Sequence, residues 1–491
     1  MAAYKLFKLV RILQVEELAE VAKYLDAPVF NTNERCNRLF RALCKFHPTM
    51  DSEKLTKERL YDKVFDKSAY DDGKMRKLMT QLAQLIERYL VIKKLDETDE
   101  VRAQLLIKAL GERSDYELFK VATESRIKEL ERLPERGKDY FRENHLLNEV
   151  LYYHPETEKL TSGNDYLHRA MLSFEQYFTL LSLQNAADIM VRNRLVGMEV
   201  PIRYMDAVNR VAMEAGFQDV IAIRFFHHLV GLYLGQKAED LEASLKLSLE
   251  TLKYLSRYEQ SFAINSLRNY AVPKLNAGSL PHAKFVFDLY RFEIENGLLV
   301  EKERLLAPST YMNIVNVGLS IKKLNWVKEF IERYSNSLPE DDGMAAVNLC
   351  YGYWHYYNGL ERKDLDEFYT SLQFYNLIPT RIGVKFDLRV RPAILRSHFE
   401  IFERKKESLD ELLQHVRNFE RHIQANNLYP DLIKKQYLNF VKYFKLLARM
   451  FGNPELKPPS LAAFFQQLES EDTIVLKRWL VEKGKELSER G

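Results

Sequence analysis

The sequence predicts an all-α protein in which helix pairs stack into an α-solenoid, preceded by a helical unit and closed by terminal capping helices. Three observations carry this. Glycine and proline are scarce, 18 and 15 among 491 residues, about 7% where ~12% is usual, while Leu, Lys, Glu and Arg dominate, as long helices require. From about residue 240 to residue 450, polar or Gly-containing turns recur, each followed by a helix start, at Leu241, Leu280, Trp326, Leu365 and Leu409. Their separations of 39, 46, 39 and 44 residues mark the second helix of a repeat close to 40 residues long, a unit that hides its apolar face only by stacking. A chain of this length also exceeds what one compact core supports.

Residues 1–98 read as a first unit of four or five helices. Met1 to Leu13 mixes Lys5, Lys8 and Arg11 among apolar residues and reads as an amphipathic helix rather than a secretory signal. Asp26-Ala27-Pro28 stops the second helix, Asn31 to Asn33 offers N-caps for the third, and His47-Pro48 ends it. Thr56 is placed to cap the next, with Leu55 and Leu60 as a hydrophobic staple. After Tyr70-Asp71-Asp72-Gly73 comes the clearest helix, with Met75, Leu78, Met79, Leu82, Leu85, Ile86 and Tyr89 on one face. Residues 99–450 form the helical repeat array. Ser114 with Glu117 and Ser408 with Glu411 make capping-box patterns, and one long pattern runs from Leu167 to Met198. Gly452-Asn453-Pro454 and Lys457-Pro458-Pro459-Ser460 then break the chain before residues 451–491 supply capping helices.

The array resembles the tetratricopeptide repeat family. The pattern lies on Tyr311, Ile314, Val315, Gly318, Val327, Ile331, Tyr334 and Pro339. The resemblance implies right-handed stacking and a concave face, lined by the first helix of each pair, that grips protein partners. Val315 and Val327 stand where the family places small residues, which argues against close helix approach there, and the repeats exceed the family's length. Three segments of the first unit, Arg38–Leu43, Leu55–Leu60 and Lys74–Met79, resemble the helices of a winged-helix DNA-binding domain, which in some bacterial regulators precedes helical repeats. Tyr89–Leu95 leaves room for one strand at most, where a wing needs a hairpin.

Charge points to no polyanion: Lys+Arg 73 against Asp+Glu 70 leaves a formal +3. Residues 1–98 hold 19 basic and 15 acidic side chains, a modest excess for neutralising phosphates. No phosphate-binding Gly loop, G-x-S-x-G, H-E-x-x-H or C-x-x-C can be written. Cys36 and Cys44 are eight residues apart on a helix, roughly 12 Å, too far for a disulfide. Glu411 and His415 share a helix face with His422 two turns on, yet lack a second set of converging ligands. No metal or other cofactor is therefore expected, nor a membrane span, since the most apolar run, Leu229–Gly235, is far too short. A cytoplasmic protein follows.

The expected function is non-enzymatic: a scaffold binding a protein or peptide partner that carries an acidic or C-terminal segment. The candidate contact residues are polar positions on first helices: Asn265, Arg268, Asn269, Asn313, Asn316, Asn348, Arg389 and Arg396. Amides bond a peptide backbone and guanidinium forks grip carboxylates. Between Arg381 and Lys406 eight basic residues face three acidic ones, a larger excess than the +3 of the whole chain. The aromatic run Tyr351–Tyr357 is read mainly as core, with His355 and Tyr356 as stacking candidates. The alternative is a DNA-binding transcriptional regulator using residues 1–98, with the repeats sensing or dimerising.

Overall fold

The computed structural model describes residues 4–66, 68–113, 115–133, 136–159, 165–197, 199–235, 241–300, 305–379, 384–405, 408–452 and 457–489. Among these residues all regular structure is helical, with no strand. The chain divides into two compact units: Met1–Leu133 with Leu146–Ala170, and Pro134–His145 with Met171–Gly491.

The first unit holds α1 (Lys5–Ile12), α2 (Val15–Asp26), α3 (Glu34–Cys44), α4 (Lys57–Val64), α5 (Asp72–Asp96), α6 (Asp99–Gly111) and α7 (Tyr116–Glu131). Its centre is α5, which touches α1, α2, α3, α4 and α6. Asp71 caps it by accepting from the Lys74 N–H at 3.0 Å, and Met75, Leu78, Met79, Leu82, Ile86 and Tyr89 are buried along it. Thr56 caps α4, with Leu55 and Leu60 buried across the cap. The single helix α5 runs through Tyr89–Leu95, so the space left for a strand is helical. Position 98 falls between α5 and α6, inside this unit. Ser114 lies outside the described residues, and the cap of α7 is Asp115, which accepts from Leu118 N–H at 3.1 Å.

Two helices, α8 (Lys138–Tyr153) and α9 (Tyr166–Val196), contribute residues to both units. The second unit continues with α10 (Met205–Ala212), α11 (Ala215–Gln218), α12 (Ile221–Tyr233), α13 (Leu241–Leu252), α14 (Arg257–Asn276), α15 (Leu280–Glu295), α16 (Pro308–Ser320) and α17 (Leu324–Tyr334). It ends with α18 (Glu340–Arg362), α19 (Leu365–Asn376), α20 (Val384–Lys405), α21 (Leu409–Ala425), α22 (Asp431–Gly452), α23 (Lys457–Glu469) and α24 (Lys477–Glu489). Four of the expected second-helix starts coincide with α13, α15, α19 and α21; the fifth helix begins at Leu324, two residues before Trp326.

Helices of this unit pack on their sequence neighbours, α14 on α15, α16 on α17, α18 on α19 and α21 on α22, while α16, α18 and α20 touch in series. Close approach depends on missing side chains. A Cβ on Gly318 would lie 2.5 Å from Val327 Cγ2, so α16 and α17 do come close where the valines argued otherwise, because Gly318 makes the room. A Cβ on Gly352 would lie 2.1 Å from the Tyr375 ring, which seats α19 on α18.

Helices also run through residues that read as breakers. Pro273 sits inside α14 and Pro392 inside α20. Lys457-Pro458-Pro459-Ser460 forms the first turn of α23, where backbone N–H groups need no helical partner. Among the described residues no helix is long and apolar enough to cross a membrane.

Candidate binding surface on the first helices

The expected contact residues lie on α14, α16, α18 and α20, and packing sorts them into two sets. Asn265 and Asn313 are exposed, while Asn269, Asn316 and Arg389 are half-buried. Arg268, Asn348 and Arg396 turn inward. Arg268 pairs with Glu293 of α15 at 2.6 Å and lies over the Tyr290 ring. Asn348 is 9% exposed and Arg396 8%.

Two cations of the basic stretch on α20 are held by its own carboxylates, and Arg381 and Lys406 lie outside the described residues. Arg391 binds Asp387 at 2.5 Å, and Arg404 binds the fully buried Glu400. Arg389 and Arg396 have no carboxylate partner among the described residues. The Arg389 Nη2 instead donates to Asn313 Oδ1 at 3.4 Å, reaching from α20 to α16, and its backbone carbonyl accepts from the Tyr353 hydroxyl at 3.4 Å. One neutral amide leaves most of a guanidinium's five donors unused.

Behind Arg389 the aromatic run of α18 is mostly core. Tyr356 is fully buried: its hydroxyl donates to Glu400 Oε1 at 3.2 Å and accepts from Trp479 Nε1 of α24 at 2.9 Å. His355 Nδ1 lies 2.6 Å from Glu367 Oε2, its ring stacked on Phe374. Lys483 of α24, only 3% exposed, meets Glu400 at 2.8 Å, Glu403 at 3.4 Å and Glu486 at 2.6 Å. Burial works against that ammonium, but Glu400 and Glu403 hold its pKa above the ordinary lysine value.

Two clusters join α20 to α21. Asp387 accepts from Arg391, His422 and the Tyr429 hydroxyl; burial would raise its pKa, but these bonds hold it below the usual carboxylate value. His398 and His415 stack with ring centroids 3.8 Å apart beside a cavity of about 340 Å³ that Glu411 and Tyr369 also line. Burial, then the neighbouring His415, lowers the His398 pKa to about 4. Glu411, His415 and His422 thus serve separate contacts, and no His, Cys, Asp and Glu group among the described residues is arranged to hold a metal ion.

A second cavity of about 440 Å³ is lined by Met190, Asn193, Tyr233, Tyr270 and Lys274; neither cavity is lined by Arg389 or Arg396. Sequence reasoning missed His398 and the ties of Asp387 to His422 and Tyr429, because His415, His422 and Tyr429 lie beyond α20 and no spacing within that helix marks them. Compared with known protein families, curated proteins and solved structures, the chain matches none of them.

Proposed function

We propose that this chain is a non-enzymatic binding protein whose first helices hold a protein or peptide partner through an acidic or C-terminal segment. The observation that supports it is Arg389: a half-buried guanidinium on α20, bonded to Asn313 of α16 and facing no carboxylate among the described residues. A partner carboxylate supplies the missing countercharge in a planar, two-bond geometry. Asn265, Asn269, Asn313 and Asn316 offer amides for an extended backbone nearby in sequence order. The second-helix starts and the serial contacts of α16, α18 and α20 support reading the helix pairs as a tetratricopeptide-like α-solenoid, for which the resemblance implies right-handed stacking.

The test is an array of peptides with acidic ends, probed with the full chain at low and high salt. Retention by acidic peptides is expected to fall with salt, and to fall roughly tenfold or more in Arg389→Glu, because charge reversal at a contact repels the same partner. Equal retention by acidic and neutral peptides, unchanged in Arg389→Glu, removes the reading.

A further inference from the structure

Arg396 has a problem that Arg389 lacks. It is 8% exposed, and its guanidinium makes no hydrogen bond or ion pair with any described residue. Its Nε is sealed from solvent without a partner, and so is the hydroxyl of Tyr375. The guanidinium carbon lies 5.0 Å from the Tyr356 ring centroid, and the charge acts on Tyr353, Tyr356, Tyr357 and Tyr375 together. Glu400, one turn along α20, offers no countercharge: Arg404, Lys483 and the Tyr356 hydroxyl already hold it.

A buried charge without a counter-ion is costly, and native proteins almost always pair such a group or satisfy it with a bound ion or water. A cation–π contact offsets only part of that cost. Burial pushes the Tyr353 hydroxyl up to about 12 and the Tyr375 hydroxyl well above the ordinary tyrosine value. Both therefore stay protonated at neutral pH, and the Tyr375 hydroxyl is a free donor.

We propose that Arg396, together with the Tyr375 hydroxyl, binds a small monovalent anion between α18, α19 and α20. Size follows from burial, since a peptide backbone cannot follow its side chain into a position nine-tenths covered. Charge follows from stoichiometry, since one guanidinium balances one negative charge. Chloride and a short carboxylate such as acetate share this chemistry. The proposal does not depend on a partner at Arg389, and each stands or falls separately.

The experiment compares thermal midpoints of the full chain in sodium gluconate, sodium chloride and sodium acetate at equal ionic strength, because gluconate is too large to enter. Chloride or acetate is expected to raise the midpoint saturably, by roughly 2 °C or more at concentrations far above Kd; a response to chloride alone or to acetate alone identifies the anion. Arg396→Met is expected to be at least as stable as the parent in gluconate, having lost an uncompensated charge, and to show no anion response. Tyr375→Phe keeps the ring and weakens the response several-fold, which keeps the test decisive if Arg396→Met fails to fold. Equal midpoints in all three salts overturn the proposal, as does an anion response that survives in both variants.

Discussion

At the scale of single residues, the packing of the second unit turns on atoms that are absent. Gly352 sits under the Tyr375 ring, where a Cβ would be 2.1 Å from the nearest carbon. Gly352→Ala must push α19 away from α18 or turn the ring. A loss of about 1–3 kcal/mol is expected, the usual cost of overfilling a packed core, measurable by urea unfolding. A stability change under 0.5 kcal/mol would show that the interface yields freely. The His398–His415 stack makes a second residue-scale prediction, on pH. The folded His398 pKa of about 4 lies below the unfolded value of ~6.5, so the unfolded chain binds more protons between them. Stability is then fully present above pH ~6.5 and falls as pH drops toward 4, by on the order of 3 kcal/mol. His398→Phe should lose that part of the acid sensitivity; identical pH profiles for the two proteins would refute it.

Among elements, α24 is tied to α18 and α20 by buried polar groups. It brings Lys483 to three carboxylates and Trp479 to the Tyr356 hydroxyl. Removing one partner of such a buried network leaves the others uncompensated. Lys483→Met is expected to cost about 3–5 kcal/mol and to raise hydrogen exchange in residues 477–489 first; uniform exchange across the chain would contradict an element-level role. Helices were the most legible feature of the sequence, because period and caps are local: Asp71, Thr56 and Ser408 cap helices where their spacing places them, although Ser408 accepts from the Asp410 N–H and does not form the expected box with Glu411. Lys457-Pro458-Pro459-Ser460 reads as a break yet opens α23, because the first turn of a helix needs no backbone N–H partners. The contact residues were legible only in part. Asn265 and Asn313 face outward, but Arg268 and Arg396 turn inward, since a long side chain beside an apolar stripe can fold either way and its choice depends on helices remote in sequence.

For the whole molecule, charge is the property that discriminates functions. In the first unit Arg38 pairs with Glu34 and Asp66, Arg41 with Asp26, Arg76 with Asp72, and Lys93 with Glu17 and Glu20. Cations already matched in this way release few counterions from DNA. The full chain is expected not to retard duplex DNA at ~50 mM salt, a condition in which phosphate-binding proteins hold tightly. A salt-sensitive gel shift would restore the regulator reading and weaken the partner-binding one. Tyr356, finally, occupies two positions at once: its face lies under Arg396, and its hydroxyl is shared between Glu400 and Trp479, 123 residues away in the chain. A group common to two equilibria makes them reciprocal. Whatever steadies the ring from the arginine side steadies the docking of the chain's last helix by the same free energy, and loosening that helix exacts the same amount in return.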